Sequence, residues 1–119
     1  MSTLAKVLVS LVALAHIYFL VLEMFLWTKP RTRAAFGMSE SQAEATKVLA
    51  ANQGLYNGFL AAGLIWSVIA PPQLAVPVAI FFTVCVIVAG LYGAATANKR
   101  ILFVQALPAA LALAAVLFS

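Results

Sequence analysis

His16 and Glu23 lie seven residues apart in one apolar run, ALAHIYFLVLEMFLW. An ionisable side chain surrounded by lipid is costly, and by default it marks a functional site. Seven residues are two helical turns, so both groups share a face, with Leu20 between them and Trp27 below. Along the axis they are about 10 Å apart, too far to touch. They are therefore no preformed dyad. They are spaced to bracket a ligand, or to be linked through water, Tyr56 or Asn57. A carboxyl and an imidazole suit acid/base work or proton coupling, and Glu23 and His16 are the candidate catalytic pair.

A second set of polar residues interrupts the other apolar stretches. Asn52, Gln53, Tyr56 and Asn57 fall within one arc of about 140° on a helix. Tyr92, Thr96 and Gln105 follow further along. These seven are the candidate ligand-binding residues. Polar groups in lipid must be satisfied within the protein, so their faces are expected to turn inward together. For Tyr92, Thr96 and Gln105 alone, mutual hydrogen bonding is the simpler explanation, because such bonds are worth only ~0.6 kcal/mol each. A structural ion pair of Glu23 with Arg31, Arg33 or Arg100 is as compatible with the sequence as a functional role. One His and one Cys on different stretches give no metal signature. There is no Gly-rich phosphate loop and no nucleophile beside a base, so no cofactor is expected.

The elements that must position these groups follow from composition. The chain has 119 residues, 66% hydrophobic and 8% charged, with a net charge of +4. A soluble domain carries about a quarter charged residues. The expectation is an all-α integral membrane protein of the bacterial inner (plasma) membrane, a single multi-pass domain over 1–119. Four spans can be drawn, at about 4–27, 48–70, 76–97 and 101–118, each near the ~20 residues that cross a bilayer. Pro108 is expected to kink the last or to free a carbonyl. Lys6, Ala13 and Ala15 imitate a signal peptide, but the apolar stretch continues through Trp27, too long for an h-region. Cys85, alone in an apolar run, reads as a packing residue.

Charge sets the topology. The connectors at 28–47 and 98–100 hold Lys29, Arg31, Arg33, Lys47, Lys99 and Arg100, against Lys6 alone on the other side. By the positive-inside rule the basic connectors are cytoplasmic and both termini extracytoplasmic. This clustering at helix ends argues for a lipid bilayer as the partner and against nucleic acid. All four spans then place polar groups in the cytoplasmic half, and the expectation is a cytoplasm-facing polar pocket capped by His16 and lined by Glu23. Ser39-x-x-Gln42 matches a capping box, which would start the second helix near Glu40. Small residues repeat at intervals of four: Ala50, Gly54, Gly58 and Ala62; Ala89, Gly93 and Ala97; Ala106, Ala110 and Ala114. Such spacing lets helices approach closely in lipid. A compact bundle accounts for all of them; a homo-oligomer through the Gly54/Gly58 face is the alternative.

The blocks HIYFLVLEMFLW, NQGLYNGFLAAGL, GLYGAAT and QALPAALAL, in this order, resemble the bacterial membrane family catalogued as domain of unknown function 1304. The resemblance covers essentially the whole chain and implies a four-helix integral membrane protein; it carries over no activity. Its motif positions would be His16, Phe19, Glu23, Asn52, Gln53 and Gly54, then Tyr56, Asn57, Gly93, Thr96, Gln105 and Pro108. The layout is also similar to that of DoxX-like four-helix membrane proteins.

Three functions compete. In the first, the pocket takes a small amphipathic or lipid-like molecule, with or without acid/base chemistry; a binder and an enzyme both fit the constellation. In the second, the chain is a non-catalytic membrane scaffold or subunit. In the third it is a proton-coupled exporter, since its size and single membrane Glu look like the small multidrug resistance transporters. Those that work as antiparallel dimers need nearly balanced loop charge, which this chain lacks.

Overall fold

The computed structural model describes residues 1–119, and every regular element in it is helical. Helix α1 runs over Thr3–Phe25, α2 over Pro30–Phe36, α3 over Glu40–Ile69 and α4 over Pro72–Thr96. A π-helical turn, Leu102–Ala106, leads into α5, Leu107–Leu117. Helices α1 and α4 are long and apolar enough to cross a membrane. Only 22% and 33% of their most apolar stretches are buried within the chain. The core helix of a soluble domain would be mostly covered, whereas here Leu4, Leu11, Phe81 and Val88 all stand exposed.

Local chemistry explains the element ends. Ser39 Oγ accepts the Gln42 N–H at 3.1 Å, and Gln42 Oε1 accepts the Ser39 N–H at 2.8 Å. This is the reciprocal capping box, and it starts α3 at Glu40. At 30 residues α3 is about 45 Å long, more than the hydrocarbon thickness requires. Helix α2 begins with Pro30, whose missing N–H costs nothing at a first helical position. It ends at Gly37, which takes the left-handed φ of 66°, and the Met38 N–H closes back onto Arg33 O at 2.9 Å. Helix α4 likewise begins with a proline, Pro72.

The chain forms two compact units. One comprises Met1–Leu14 and Leu60–Ser119. Its core is built largely of small side chains: Ala5, Val9, Ala79, Val86, Ala109 and Ala112 are all fully buried. Gly90 of α4 lies directly against the backbone of Ala106. The buried hydroxyls of Ser67 and Thr83 donate within their own helices, to Leu64 O and Ala79 O at 2.7 Å. Ser119 Oγ donates to Ser2 Oγ at 3.3 Å, so the two chain ends meet.

Pro108 acts through the residues before it. It has no N–H to give the carbonyl of Val104, one turn back. The helix widens just upstream, where the Leu107 N–H reaches five residues back to Leu102 O. The packed stripe differs from the one that intervals of four predict. Gly90 is buried and Ala89 exposed; Ala106, Ala109, Ala112 and Val116 are buried, while Ala110 and Ala114 are exposed. Strict steps of four drift by about 40° each around a helix, whereas mixed steps of three and four stay on one face.

The other unit, Ala15–Phe59, is a helical hairpin. The second half of α1 runs antiparallel to the first part of α3, with α2 at the turn. A Cβ on Gly58 would lie 2.7 Å from Leu20 Cδ1; one on Gly54 would lie 2.7 Å from Met24 Cγ and 3.2 Å from Leu20 O. The two glycines are therefore what allow the hairpin to close.

Candidate functional site

The close approach at Gly54 sets what meets across the hairpin. One turn along α3, Asn57 is nearly fully buried, and its Nδ2 donates to Glu23 Oε1 at 2.5 Å. A carboxylate oxygen accepting an amide N–H removes much of the cost of holding that group away from water. Glu23 itself is half-buried.

Beside this pair is an open hollow of about 340 Å³. On the α1 side it is lined by Glu23, Met24, Phe25, Trp27 and Thr28. On the α3 side it is lined by Lys47, Val48 and Ala51. One wall is fixed firmly. Trp27 Nε1 donates to Thr46 Oγ1 at 3.0 Å, Thr46 Oγ1 donates in turn to Gln42 O at 2.7 Å, and the Trp27 ring packs on Phe36 with centroids 5.0 Å apart. Lys47 is paired with Glu44 on its own helix. The hollow thus presents one carboxylate, one ammonium, the polar Thr28 and otherwise apolar or aromatic surface. No three His, Cys, Asp or Glu side chains are grouped as metal ligands would be.

Of the residues singled out from sequence, the structure brings Glu23 and Asn57 together. His16 is fully buried, edge-on to Phe19 with ring centroids 5.2 Å apart, and does not line the hollow. Asn52, Gln53 and Tyr56 are exposed, Tyr56 resting against Phe59. The cause lies in α3 itself. The glycines centre its contact face near Gly54 and Gly58, so Asn57 at the edge of the polar arc turns in and the rest of the arc turns away. The glycine face discussed above for a second copy is filled by Leu20, Glu23 and Met24 of the same chain.

In the other unit, Tyr92 and Thr96 are exposed, and Thr96 Oγ1 donates to Tyr92 O at 2.7 Å within its own helix. Gln105 is half-buried in the π-helical turn and is hydrogen-bonded or otherwise engaged. Sequence reasoning missed Lys47, Val48 and Ala51 as lining residues. The signal was present for two of them: Lys47 and Ala51 continue the Gly54/Gly58 stripe toward the start of α3.

These features define a class, an all-α protein with two apolar helices of membrane-crossing length and one carboxylate held inside a helical hairpin. The chain belongs to the family described as Protein of unknown function (DUF1304), whose model matches residues 10–117. It is 35% identical over 116 residues to the uncharacterized protein YpaA of Lactococcus lactis subsp. lactis (strain IL1403), an alignment covering 95% of this chain and 96% of that one. No solved structure matches the chain. The family expected from the four sequence blocks is the family found.

Proposed function

We propose that this is a four-span protein of the bacterial plasma membrane whose Glu23 hollow binds a small amphipathic molecule. The observation that carries the reading is that one carboxylate is both held by Asn57 and set in the wall of a hollow whose other lining is mainly apolar and aromatic, with Lys47 and Thr28 the other polar groups. A volume of about 340 Å³ is at the lower end for small-molecule sites. Glu23 supplies the polar contact, Asn57 orients it, and Trp27 with Phe25 and Met24 covers the apolar part of the guest. His16, two turns further along α1, is the second proton carrier if the guest is transformed.

Native mass spectrometry with small-molecule extraction tests this on wild type and Glu23→Gln, each purified from its source membrane. The expected result is a specific bound compound in the wild type that is lost from the variant. Absence of any compound in both, with the variant equally well folded, overturns the reading. The second reading, a scaffold, is favoured by one observation: every buried side-chain N and O already has a hydrogen-bond partner. It predicts that Glu23→Gln changes stability alone.

The membrane arrangement rests on three supports. Apolar side chains on α3 and α5, among them Phe59, Ile65, Ile69 and Leu111, are as exposed as those on α1 and α4. The meeting of Ser2 with Ser119 fits an even number of crossings. The basic connectors, placed on the cytoplasmic side, put both ends outside. In a Cys85→Ser background, a cysteine at position 2 should react with a membrane-impermeant maleimide in intact cells, and a cysteine at position 39 only after lysis. The reverse pattern would invert the topology; labelling of both in intact cells would remove the four-span arrangement.

A further inference from the structure

Where α1 ends, the hairpin carries three cations in five residues: Lys29, Arg31 and Arg33. No acidic residue lies between Glu23 and Glu40. The one ion pair in the structure is Lys47 with Glu44, so none of these three cations is neutralised by a carboxylate. Lys29 and Arg31 are exposed. Arg33 is held by its Nε donating to Thr28 O at 3.1 Å.

The same turn carries an apolar rim. Phe25 and Leu26 are exposed, and Phe36 is half exposed while its ring packs on Trp27. Trp27 is held with its N–H on Thr46. Helix α2 is fixed as a unit by Pro30 at its start, buried Thr32 in its middle and Gly37 at its end. Tryptophan and aromatic neighbours at the end of an apolar helix sit at headgroup depth. A short helix with basic residues beside aromatic ones lies in the interface and gains from anionic lipid.

We infer that the α1–α2 turn is a docking surface for anionic phospholipid headgroups, with Lys29, Arg31 and Arg33 meeting the phosphates and Phe25, Leu26 and Phe36 seated among the upper acyl chains. Charge selects this occupant. The patch has net charge +3 from its three cations, no internal counter-ion, and an apolar rim on the side where α1 leaves off. A zwitterionic surface satisfies the rim alone. The inference rests on the membrane reading above and shares Phe25 with the Glu23 hollow, but it needs no guest there.

The test uses the full chain carrying Trp66→Phe, which leaves Trp27 as the sole tryptophan. It is reconstituted into bilayers of equal parts phosphatidylcholine and phosphatidylglycerol. In one preparation the first lipid carries brominated acyl chains, in the other the second, and quenching of Trp27 is compared. One basic residue near an anionic surface is worth about a fivefold enrichment. Quenching by the brominated phosphatidylglycerol should exceed that by the brominated phosphatidylcholine by at least that factor at low salt. It should fall toward equality at about 1 M salt, where the screening length is ~3 Å. The double variant Lys29→Gln/Arg31→Gln should lose most of the preference, with Arg33 left as the one cation of the patch; neither replaced side chain makes a hydrogen bond that folding needs. The charge-keeping variant Lys29→Arg/Arg31→Lys should retain it. Equal quenching by the two lipids in the parent protein, or a preference undiminished in Lys29→Gln/Arg31→Gln, overturns the inference.

Discussion

Alanine at position 90 should destabilise the protein by about 2 kcal/mol, and leucine there by more. The added Cβ would lie 2.7 Å from Ala106 N, 2.8 Å from Ala106 Cβ and 2.9 Å from Ala106 Cα. These are mainly backbone atoms, which cannot swing aside, so α4 and the π-helical turn must separate. Alanine's better helix propensity, worth up to about 1 kcal/mol over glycine, offsets only part of this. Gly93 is the control. A Cβ there would meet side-chain atoms of Ile101, at 3.2 and 3.3 Å, and these can give way. Gly93→Ala should therefore stay within about 0.5 kcal/mol of wild type. Unfolding of both variants in matched detergent micelles checks the contrast. Equal effects at positions 90 and 93 would show that the close approach is not what limits stability.

The second large effect is expected at Asn57. Asn57→Leu removes the amide that faces Glu23 and leaves the carboxyl without that partner. An abandoned polar group of this kind costs about 1–3 kcal/mol. Glu23→Gln keeps an acceptor oxygen for the Asn57 N–H and should cost under about 1 kcal/mol. Replacing both residues with apolar ones, Glu23→Met with Asn57→Leu, should recover much of the single loss, because no polar group is then stranded. The cycle should give a coupling of about 1–2 kcal/mol between the two positions. A neutral Asn57→Leu would mean that the Glu23–Asn57 bond contributes nothing to the fold.

Much of the architecture was legible in the residues because it rests on local chemistry. The Ser39/Gln42 box fixed the start of α3, and the run of apolar residues fixed α1 and α4. The effect of Pro108 was legible in kind, since proline must leave a carbonyl without its usual donor; that the helix answers with a π-helical turn was not. The packed faces of α4 and α5 were misread by one position at Ala89 and Ala110. Several small residues stood at similar spacings there, and only the three-dimensional fit of Gly90 on Ala106 chooses between them. Of the candidate site, the meeting of Glu23 with one amide, Asn57, involves two residues that the sequence singles out. Asn52, Gln53 and Tyr56 were grouped with Asn57 by angle alone. Which edge of that arc faces α1 depends on where the glycines let the helices touch, and that is a property of the pair rather than of either segment.

The contact of Ser119 with Ser2 bears on how the molecule can be handled. Ser2 and Ser119 lie side by side in one unit, and a linker of a few residues would join them into a closed ring of chain without displacing the start of α1 or the end of α5. The natural place to reopen such a ring is the Gly37–Met38 turn, where Gly37 has open space around its α-carbon. A permuted chain cut there would begin with the capping box of α3 and end with α2. Each half of the hairpin would then be delivered by a different end of the polypeptide, and the order in which the helices are synthesised could be separated from the order in which they pack.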